Sequence, residues 1–433
     1  MQEQHFTYSR RRFLQQGLMF ASSTAVPVFV ERSAFAMMQD EGALTSSRPG
    51  VPEDRVLVIV ELTGGNDGLN TVVPFGSAEY YQLRPGLAVP SPVAPGDSDP
   101  RSRALVLDLS AGLGLHPSLE RFKRLYDNGF ASVVQGVGYP NPNRSHFASM
   151  DIWHTARTRG AGNGWIGRCF DSVGGGTPVT DGEVALGRTA PLALIGEDQK
   201  PITFETADMF RWQGGDLHEA LNRPYERITR ADLADDVDPD SQLAFLVRTT
   251  RDAQLASDRI RAAVEKTPMV SYPRTLLARQ LSMVGAMIRD EMKTRVYYVS
   301  LSGFDTHANQ AGRHSNLLRQ LGDALYAFQL DLQAQGNSER VLTMVFSEFG
   351  RRVAQNASGG TDHGTAAPVY LVGDMVRPGL LGVHPSMSSL DQGDLVFNLD
   401  FRCVYAAILE DWMGVDATEV LGRQYKKARI LGT

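Results

Sequence analysis

The chain contains very little cysteine, since only Cys169 and Cys403 occur among its 433 residues. A disulfide scaffold is therefore excluded, and two interpretations stay open: one bridge formed after export from the cytoplasm, or two small core residues. Beyond the N-terminus the sequence also lacks an unbroken apolar run of the roughly 20 residues that a membrane-spanning helix requires. We therefore expect a soluble mature protein with no stable membrane span.

Positive charge is also scarce. The chain has 43 lysine and arginine residues against 49 aspartate and glutamate residues, a formal net charge of −6. A nucleic-acid-binding protein normally carries a surplus of positive charge to meet the phosphate backbone. The composition therefore argues against nucleic acid as a general partner.

The N-terminal segment 1–36 is typical of a twin-arginine export signal. Ser9–Leu14 (SRRRFL) precedes the apolar stretch Gly17–Val30, and Ala34–Ala36 offers small residues for cleavage. The alternative, a basic arm beside a membrane helix, requires a longer apolar stretch. We expect the twin-arginine translocase to carry the folded chain to the periplasm or beyond, which would allow a metal to be loaded in the cytoplasm.

Short apolar runs bounded by Gly, Pro or Asp predict buried strands. They lie at 55–62, 105–109, 132–138, 191–195, 295–302, 341–346 and 368–372. Apolar residues spaced by three or four within 277–288 and 318–332 predict amphipathic helices. A helix over about 310–335 between two strands is a βαβ crossover, so we expect an α/β fold with a mostly parallel sheet between helices.

Residues 37–433 are expected to form one decorated domain, because large α/β enzymes add loops and subdomains to a single sheet. The segment from about 200 to 290 carries helical patterns without clear strands, so we predict a helical cap there. Three further stretches are predicted to be loops or insertions by their Pro, Gly or acidic composition: Pro90–Arg103, Gly174–Gly187 and Asp232–Asp240.

Polar side chains follow four of the predicted strands: Asp67, Ser145, Asp305 and Glu348. In an open α/β sheet the reactive groups gather beyond the carboxyl ends of the strands. We therefore expect these residues, although distant in sequence, to share one cleft.

The turn Gly64–Asn70 (GGNDGLN) places the Asp67 carboxylate among glycines directly after the first strand. Its glycine spacing does not match a dinucleotide-binding loop, and it suits a metal-ligating carboxylate better. The alternative is a turn that uses Asn-Asp-Gly only for its backbone angles.

Two acid and histidine combinations are stronger candidates for metal binding. Asp305 and His307 follow a strand two residues apart, and Asp362-His363 lies in the glycine-rich string GGTDHGT. Oxygen and imidazole donors together suit Zn²⁺, Mn²⁺ or Fe rather than an oxygen-seeking ion. The alternatives are an ordinary histidine at 307 and a polar loop at 359–365, and His314 is a weaker candidate.

A hydroxyl group in the string NPNRSHF is the candidate nucleophile. Ser145 follows a strand and precedes a helix expected to start near Ala148, so a bound cation or the helix N-terminus could assist its proton loss. Arg144 could hold an anionic oxygen. The alternative for Ser145 is a helix N-cap without chemistry. The chain has no G-x-S-x-G nucleophile elbow, which argues against a serine triad of the usual hydrolase type.

Other conspicuous residues favour structural roles. The string around Trp165 (GWIGR) predicts a packed turn with an anchoring Trp. The remaining single histidines lack a neighbouring acid in a turn, and we expect them to be solvated or core residues: His116, His154, His218 and His384.

Five strings in a fixed order, after the export signal, resemble a large bacterial family of exported proteins of unknown function within the alkaline phosphatase and sulfatase superfamily. The strings are ELTGGNDGLNTVVP, NPNRSHF, GFDTHANQ, SEFGRR and GTDHGTAAPVYLVG. The resemblance covers essentially the whole mature chain. It implies an alkaline-phosphatase-like sheet and one or two bound divalent metal ions.

The same resemblance implies roles for single residues. Asp67 looks like the metal ligand after the first strand, Ser145 stands where the nucleophile is expected, and Asp305, His307 and His363 look like ligands of one ion.

The chain departs from the superfamily pattern at Phe349, which stands where a metal-binding histidine is expected. Three alternatives follow: Glu348 and Asp67 hold a second metal without it, Asp362-His363 fills that role, or the site binds one metal. The sulfatase signature, Cys or Ser followed by x-Pro-x-Arg, is missing around Ser145, which lowers the case for a formylglycine-dependent sulfatase.

The sequence therefore favours an exported metal-dependent hydrolase of a phosphate or sulfate ester, carried on a polysaccharide or a small molecule. The alternative is a non-catalytic exported binding or assembly protein that keeps the fold, with one metal ion or none.

Overall fold

The first strand explains the architecture. The sequence VLVIVELT at Val56–Thr63 is almost wholly apolar, and nearly every residue of this strand, β1, is buried. A strand buried on both faces must lie inside a sheet that is covered on both sides. The computed structural model, which describes residues 52–92, 106–174, 182–209, 218–223 and 242–432, has this arrangement. The predicted export signal and cleavage site lie outside the described residues.

The strands of the described residues form one large sheet and two small ones. After β1 they are β2 Val72–Val73, β3 Leu107–Ser110, β4 Leu113–Leu115, β5 Ala131–Gly138, β6 Glu183–Leu186, β7 Ile202–Phe204, β8 Val296–Ser302, β9 Val341–Phe346, β10 Ala367–Val372, β11 Gly379–Leu381, β12 Leu390–Asp391, β13 Asp394–Leu395 and β14 Leu399–Asp400. The nine-stranded central sheet has the order β11-β5-β10-β9-β1-β8-β6-β7, and β14 also pairs with β5.

The central sheet is mostly parallel, as expected. β1 pairs in parallel with both β8 and β9, and the parallel pairs continue through β6 and β7 on one side. Only β10 runs against its neighbours β9 and β5. The carboxyl ends of β1, β5, β8 and β9 therefore lie at the same edge of the sheet as the amino end of β10.

Helices cover both faces of the sheet. They are α1 Gly68–Thr71, α2 Ala78–Leu83, α3 Glu120–Asp127, α4 His146–Thr155, α5 Trp165–Gly174, α6 Gln242–Glu265, α7 Leu276–Arg289, α8 Gln310–Gln335, α9 Phe401–Ala407 and α10 Ala417–Leu421. Short 3₁₀ turns lie at Pro117–Leu119, Leu192–Leu194, Ala207–Met209, Glu219–Leu221 and Ser338–Arg340, and a π-helical turn lies at Ile408–Met413. The predicted crossover helix over 310–335 is confirmed as α8.

Alternate residues of β1 point into different cores, as the two-residue repeat of a strand requires. Val58 and Val60 join a cluster with α3, α7 and α8, whereas Leu57 and Ile59 join a second cluster with α4, α5 and α9. The α/β fold class with helices on both faces is therefore confirmed.

Two of the predicted strands were wrong in kind or place. The run 191–195 forms a 3₁₀ turn at Leu192–Leu194, whose Ala193 and Leu194 pack in the core with α4 and α5. A short apolar run does not distinguish a buried strand from another buried segment. The run 105–109 contributes β3 to a small antiparallel sheet with β4 and β2, not to the central sheet.

Two strands of the central sheet were missed. β6 lies within Gly174–Gly187, which was predicted to be a loop, and β7 lies within the segment predicted to lack strands. Both are short, and β6 begins with the charged Glu183, so neither gives the long apolar pattern that marks a central strand.

The predicted cap segment is described only in part, because residues 210–217 and 224–241 lie outside the described residues. Its α7 packs against α8 in the core cluster under the sheet. The helical cap stays a prediction.

The cysteines and Trp165 behave as core residues. Cys169 is buried, Cys403 is half-buried, and both thiols are free. Trp165 is 1% exposed, which confirms the anchoring Trp, but it begins α5 rather than a turn. No helix among the described residues is both long and apolar enough to span a bilayer.

Candidate metal centre

Asp305 lies at the centre of a polar cluster beyond the carboxyl end of β8. Its Oδ1 atom is 3.0 Å from Nε2 of His307, 3.2 Å from Nε2 of His363 and 3.5 Å from Nε2 of His146. These residues come from the loop after β8, the loop before β10 and the start of α4 after β5, which the sheet brings to one edge. His146, Asp305 and His363 each offer a ligand atom within 4.8 Å of the others.

His146 was missed at the sequence level as a candidate ligand. It is the first residue of α4 and directly follows Ser145 in the string NPNRSHF, which was already singled out for its serine. No acid adjoins His146 in the sequence, so the pattern used to find metal ligands did not apply to it. Its Nε2 atom is buried and has no hydrogen-bond partner among the described residues. The acid that matters, Asp305, reaches it only through the fold.

Each of the three histidines has its other ring nitrogen bound to an acceptor. Nδ1 of His363 lies 2.7 Å from the backbone oxygen of Arg144, Nδ1 of His146 lies 2.8 Å from Oε1 of Glu348, and Nδ1 of His307 lies 3.2 Å from Oδ1 of Asp362. A carbonyl oxygen only accepts, so Nδ1 of His363 carries the proton. In the neutral rings the Nε2 lone pairs then face the cluster.

The Nε2 atoms of His307 and His363 are only 2.9 Å apart. Two lone pairs at this distance repel each other, so the arrangement requires a proton or a cation beside them. Nitrogen donors whose opposite nitrogens are held by carboxylates or carbonyls are typical of metal-binding histidines. The residues present therefore fit a divalent metal ion, with Asp305 as the carboxylate donor.

The buried Arg351 fixes the carboxylate at the centre. Its guanidinium donates to Oδ1 of Asp305 at 2.8 Å, to the Gly65 carbonyl at 2.7 Å and to the Thr361 carbonyl at 2.8 Å. Burial raises the pKa of Asp305, but the hydrogen bond and the positive charge of Arg351 oppose it, and that pKa is lowered to about 2. Asp305 is therefore ionised at neutral pH, as a ligand must be.

Glu348 lies behind His146 rather than among the Nε2 atoms. Its side chain is fully buried, and Oε1 accepts from the Gly64 backbone N–H at 2.8 Å as well as from His146. The hydrogen bond to Glu348 raises the pKa of His146, against the effect of burial.

Phe349 packs against the cluster at the position where the resemblance implies a histidine. Its ring centroid lies 5.0 Å from that of His146 and 4.8 Å from that of His363. The ring also lies against Gly65, where an added Cβ would come within 2.3 Å of it. Phe349 therefore supplies an apolar wall.

Asp67 is engaged elsewhere. It is fully buried, and its Oδ2 atom pairs with Nη1 of Arg84 at 2.6 Å and accepts from Gln310. Burial alone would raise the pKa of Asp67, but the charge and hydrogen bond of Arg84 hold it below the ordinary value. The structure does not bring Asp67 into the set of ligand atoms around Asp305.

Gln310 links Asp67 to the loops of the cluster. Its Oε1 atom accepts from Thr306 at 3.1 Å and from Thr361 at 2.6 Å, while its Nε2 donates to Asp67. Thr306 adjoins Asp305 and His307, and Thr361 precedes Asp362 and His363 in the chain. Asp67 therefore supports the site through one amide side chain.

Ser145 and Arg144 border the cluster. Ser145 is exposed at the N-cap position of α4, which is present as predicted but begins at His146 rather than near Ala148. Among the described residues its side chain makes no capping hydrogen bond. The Arg144 side chain is 40% exposed and pairs with the buried Asp394. Asp362 is exposed and accepts from His307, and a hydrogen bond from Asn356 lowers its pKa.

The other histidines among the described residues lie outside the cluster around Asp305. His116 and His154 are buried, and His218 is exposed. The weaker candidate His314 is buried and lies 2.9 Å from Oδ1 of Asn66, away from Asp305. Burial lowers the pKa of His314 to about 3 and that of His116 to about 4, so both are neutral at pH 7.

Fold and site together define a class: an α/β protein whose mostly parallel sheet gathers histidines and acids from several loops at one edge. The chain belongs to the DUF1501 family of proteins of unknown function, whose model matches residues 54–420. The expected membership in a large family of unknown function is thereby confirmed. No curated protein matched the sequence.

Three solved structures resemble the chain at low identity. The protein Ps i-CgsB, solved in complex with k-i-k-neocarrahexaose, is 8% identical, with 84% of this chain and 77% of that chain covered and a TM-score of 0.37. A protein in the alkaline phosphatase superfamily from Vibrio parahaemolyticus is 7% identical, with 93% and 78% covered and a TM-score of 0.37. The lipoteichoic acid synthase LtaP from Listeria monocytogenes is 8% identical, with 83% and 73% covered and a TM-score of 0.28. At these scores we draw nothing about activity from them.

Proposed function

We propose that this protein binds a divalent metal ion through His146, Asp305 and His363, with His307 as a further donor, and hydrolyses a phosphate or sulfate ester. The observation that carries the proposal is the convergence of the Nε2 atoms of all three histidines on Oδ1 of Asp305, at 3.0–3.5 Å.

Mixed imidazole and carboxylate donors favour zinc, manganese or a similar ion over one that prefers only oxygen. A bound ion would polarise an ester oxygen and lower the pKa of a hydroxyl group or water beside it. The ion pair between the Asp67 carboxylate and Arg84 supports one bound ion rather than two.

Residues of the chain would perform the remaining steps. Ser145 adjoins His146 at the exposed start of α4, where its hydroxyl is accessible for attack on an ester. Arg144, partly exposed, would bind an anionic oxygen of the substrate while Asp394 orients it. Phe349 excludes water from one side of the donors.

The substrate is an anionic ester on a polysaccharide or a small molecule, encountered in the periplasm or outside the cell after export by the twin-arginine translocase. The export signal in residues 1–36 supports this location.

Metal analysis of the purified mature protein is the first test. We expect bound metal in the wild type and weakened or lost metal in Asp305→Ala and His363→Ala. The matched control is His218→Ala, because this exposed histidine lies outside the cluster. Metal-free wild-type protein, with variants that fold and bind ligands as well as it does, would sink the proposal.

A panel of phosphate monoesters, phosphate diesters and sulfate esters then tests catalysis. Turnover that depends on metal and is abolished in Ser145→Ala is expected, whereas turnover that survives Ser145→Ala would exclude this nucleophile and leave metal-bound water.

The second candidate is a non-catalytic exported binding or assembly protein with one metal ion. The Asp67–Arg84 pair favours it, because an acid that the resemblance implies as a metal ligand is neutralised by a guanidinium. Bound metal without turnover on the whole ester panel would support this candidate over the hydrolase.

A further inference from the structure

Glu348 is a buried carboxylate whose two oxygens both have hydrogen-bond partners in the protein. Oε1 accepts from the Gly64 backbone N–H at 2.8 Å and lies 2.8 Å from Nδ1 of His146, and Oε2 lies 3.0 Å from Oγ of Ser347. The side chain is 0% exposed. Each oxygen therefore has at least one partner, and the histidine atom that Oε1 contacts is Nδ1, not the Nε2 atom that faces Asp305.

The backbone of Glu348 also contacts α4, the helix that begins at His146. Oγ of Ser149, one turn further along α4, donates to the Glu348 carbonyl at 2.6 Å and lies 2.7 Å from the Tyr139 hydroxyl. Glu348 thus meets α4 twice, through its backbone and through its side chain. This double contact sets both the position of the helix start and the orientation of the ring.

A carboxylate at Nδ1 determines the tautomer of His146. Because the carboxylate accepts, the proton lies on Nδ1 and the lone pair lies on Nε2, the atom that is buried without a hydrogen-bond partner among the described residues and lies 3.5 Å from Asp305.

We propose that Glu348 is a positioning residue that orients His146 for metal binding and is not itself a metal ligand. The inference rests on the proposed function and deepens it, because it assigns to this acid a role distinct from the ligand role that the sequence suggested. Outer partners of this kind typically change metal affinity by about 10–100-fold when they are removed.

Two variants separate positioning from ligation. Glu348→Gln keeps an oxygen for Gly64 and His146, and its amide can donate to Oγ of Ser347. Glu348→Ala removes the acceptor. The matched control is Glu61→Gln, because Glu61 is also a buried acid next to a histidine of α4, with its Oε2 3.4 Å from Nε2 of His154, outside the cluster.

Zinc affinity, the number of ligands around cobalt by X-ray absorption, and the His146 tautomer by ¹⁵N NMR are measured on the full mature chain. We expect Glu348→Ala to bind zinc about 10–100-fold more weakly and to lose the pure Nδ1–H tautomer. Glu348→Gln should keep that tautomer and the same number of ligands, with a smaller loss of affinity, and Glu61→Gln should match the wild type.

Two results would overturn the role of Glu348 alone: wild-type zinc affinity and tautomer in Glu348→Ala, or the loss of one oxygen ligand from the cobalt shell in Glu348→Gln. A wild-type protein that binds neither zinc nor cobalt would instead overturn the proposed function, and with it this inference. The NMR measurement on metal-free protein keeps the two failures apart, because it reports the Glu348–His146 pair without metal.

Discussion

At the scale of single residues, the structure separates acids that the sequence treated alike. Asp305 faces three imidazoles, Glu348 faces the back of His146, and Asp67 faces Arg84. Each acid follows a strand, so position in the chain does not distinguish them. What distinguishes them is the cation or donor that the fold places opposite each carboxylate.

The Asp67–Arg84 pair should contribute strongly to stability, because both side chains are 0% exposed. We expect Arg84→Met to lower the free energy of unfolding by about 3–5 kcal/mol, since it leaves a buried carboxylate unpaired. Denaturant unfolding measures this. The control is Arg124→Met, which breaks an exposed pair with Glu120 and should change little. Equal effects of the two substitutions would contradict the interpretation.

The same pair predicts a pH dependence. The folded pKa of Asp67 lies below its ordinary value of 3.8, so its contribution to stability is complete above that pH and is lost as pH falls through the folded pKa. We expect the difference in unfolding free energy between wild type and Asp67→Asn to shrink below about pH 3.8. A difference that stays constant down to the acid transition would exclude an ionised Asp67.

At the scale of elements, the ten-residue helix α4 contains or adjoins several residues of the candidate site. Its start carries Ser145 and His146, its next turn carries Ser149 bound to the Glu348 carbonyl, and His154 lies near Glu61. The bond from Ser149 therefore fixes the start of the helix to the residue just after β9, which positions the candidate nucleophile and one candidate ligand together.

Ser145→Ala should leave stability almost unchanged. Ser145 has an N-cap backbone (φ −84°, ψ 128°), but among the described residues its hydroxyl makes no capping hydrogen bond, so the usual loss of about 1 kcal/mol for a cap does not apply. Thermal unfolding checks this, and ester turnover is measured on the same samples. A large fall in stability would show that the hydroxyl serves α4 instead of chemistry.

Gly360 allows the two cluster loops to pack closely. A Cβ there would lie 2.2 Å from the carbonyl carbon of His307 and 2.5 Å from the Thr306 oxygen. We expect Gly360→Ala to cost about 1–3 kcal/mol of stability and to weaken metal binding, because His307 must move. Gly312→Ala is the control: an added Cβ at this glycine of α8 would meet no atom within 4 Å beyond its chain neighbours and its own helix backbone. This change should raise the free energy of unfolding by about 0.5–1 kcal/mol. Denaturant unfolding and zinc titration are measured for both variants. Equal stability and equal zinc affinity of Gly360→Ala and Gly312→Ala would contradict the packing role of Gly360.

At the scale of the whole molecule, the mostly parallel sheet assembles the site. Because β1, β5, β8 and β9 end at one edge, loops separated by long stretches of chain meet there. A ligand that crosslinks those loops should therefore stabilise the entire fold and not only the loops.

Metal should raise the melting temperature of the mature protein. At a free concentration 100 times the Kd, binding to the folded state alone adds about 2.7 kcal/mol. Calorimetry with zinc, and after chelation, measures the shift, which should grow with zinc concentration and nearly vanish in His146→Ala. The same shift in His146→Ala as in the wild type would place the zinc elsewhere.

Much of the fold was predictable because local pattern records it. The buried run of β1, the crossover helix α8 and the strand β9 each have the length and spacing that burial demands. β6 was not predictable, because it has only four residues and begins with the charged Glu183. These residues form a strand because they pair with β7 and β8, and their own sequence pattern does not indicate it.

The sequence by itself determined the α/β class, the order of the strand-end motifs, and the candidate roles of Asp305, His307 and His363. Only the tertiary structure decided which groups meet. His146 contacts both Asp305 and Glu348, although it precedes Glu348 by 202 residues in the chain. Arg84 and Asp67 form a fully buried ion pair. The reason is physical: strand position sets the edge at which a residue lies, whereas its partner depends on how separate loops pack, and local sequence does not encode that distance.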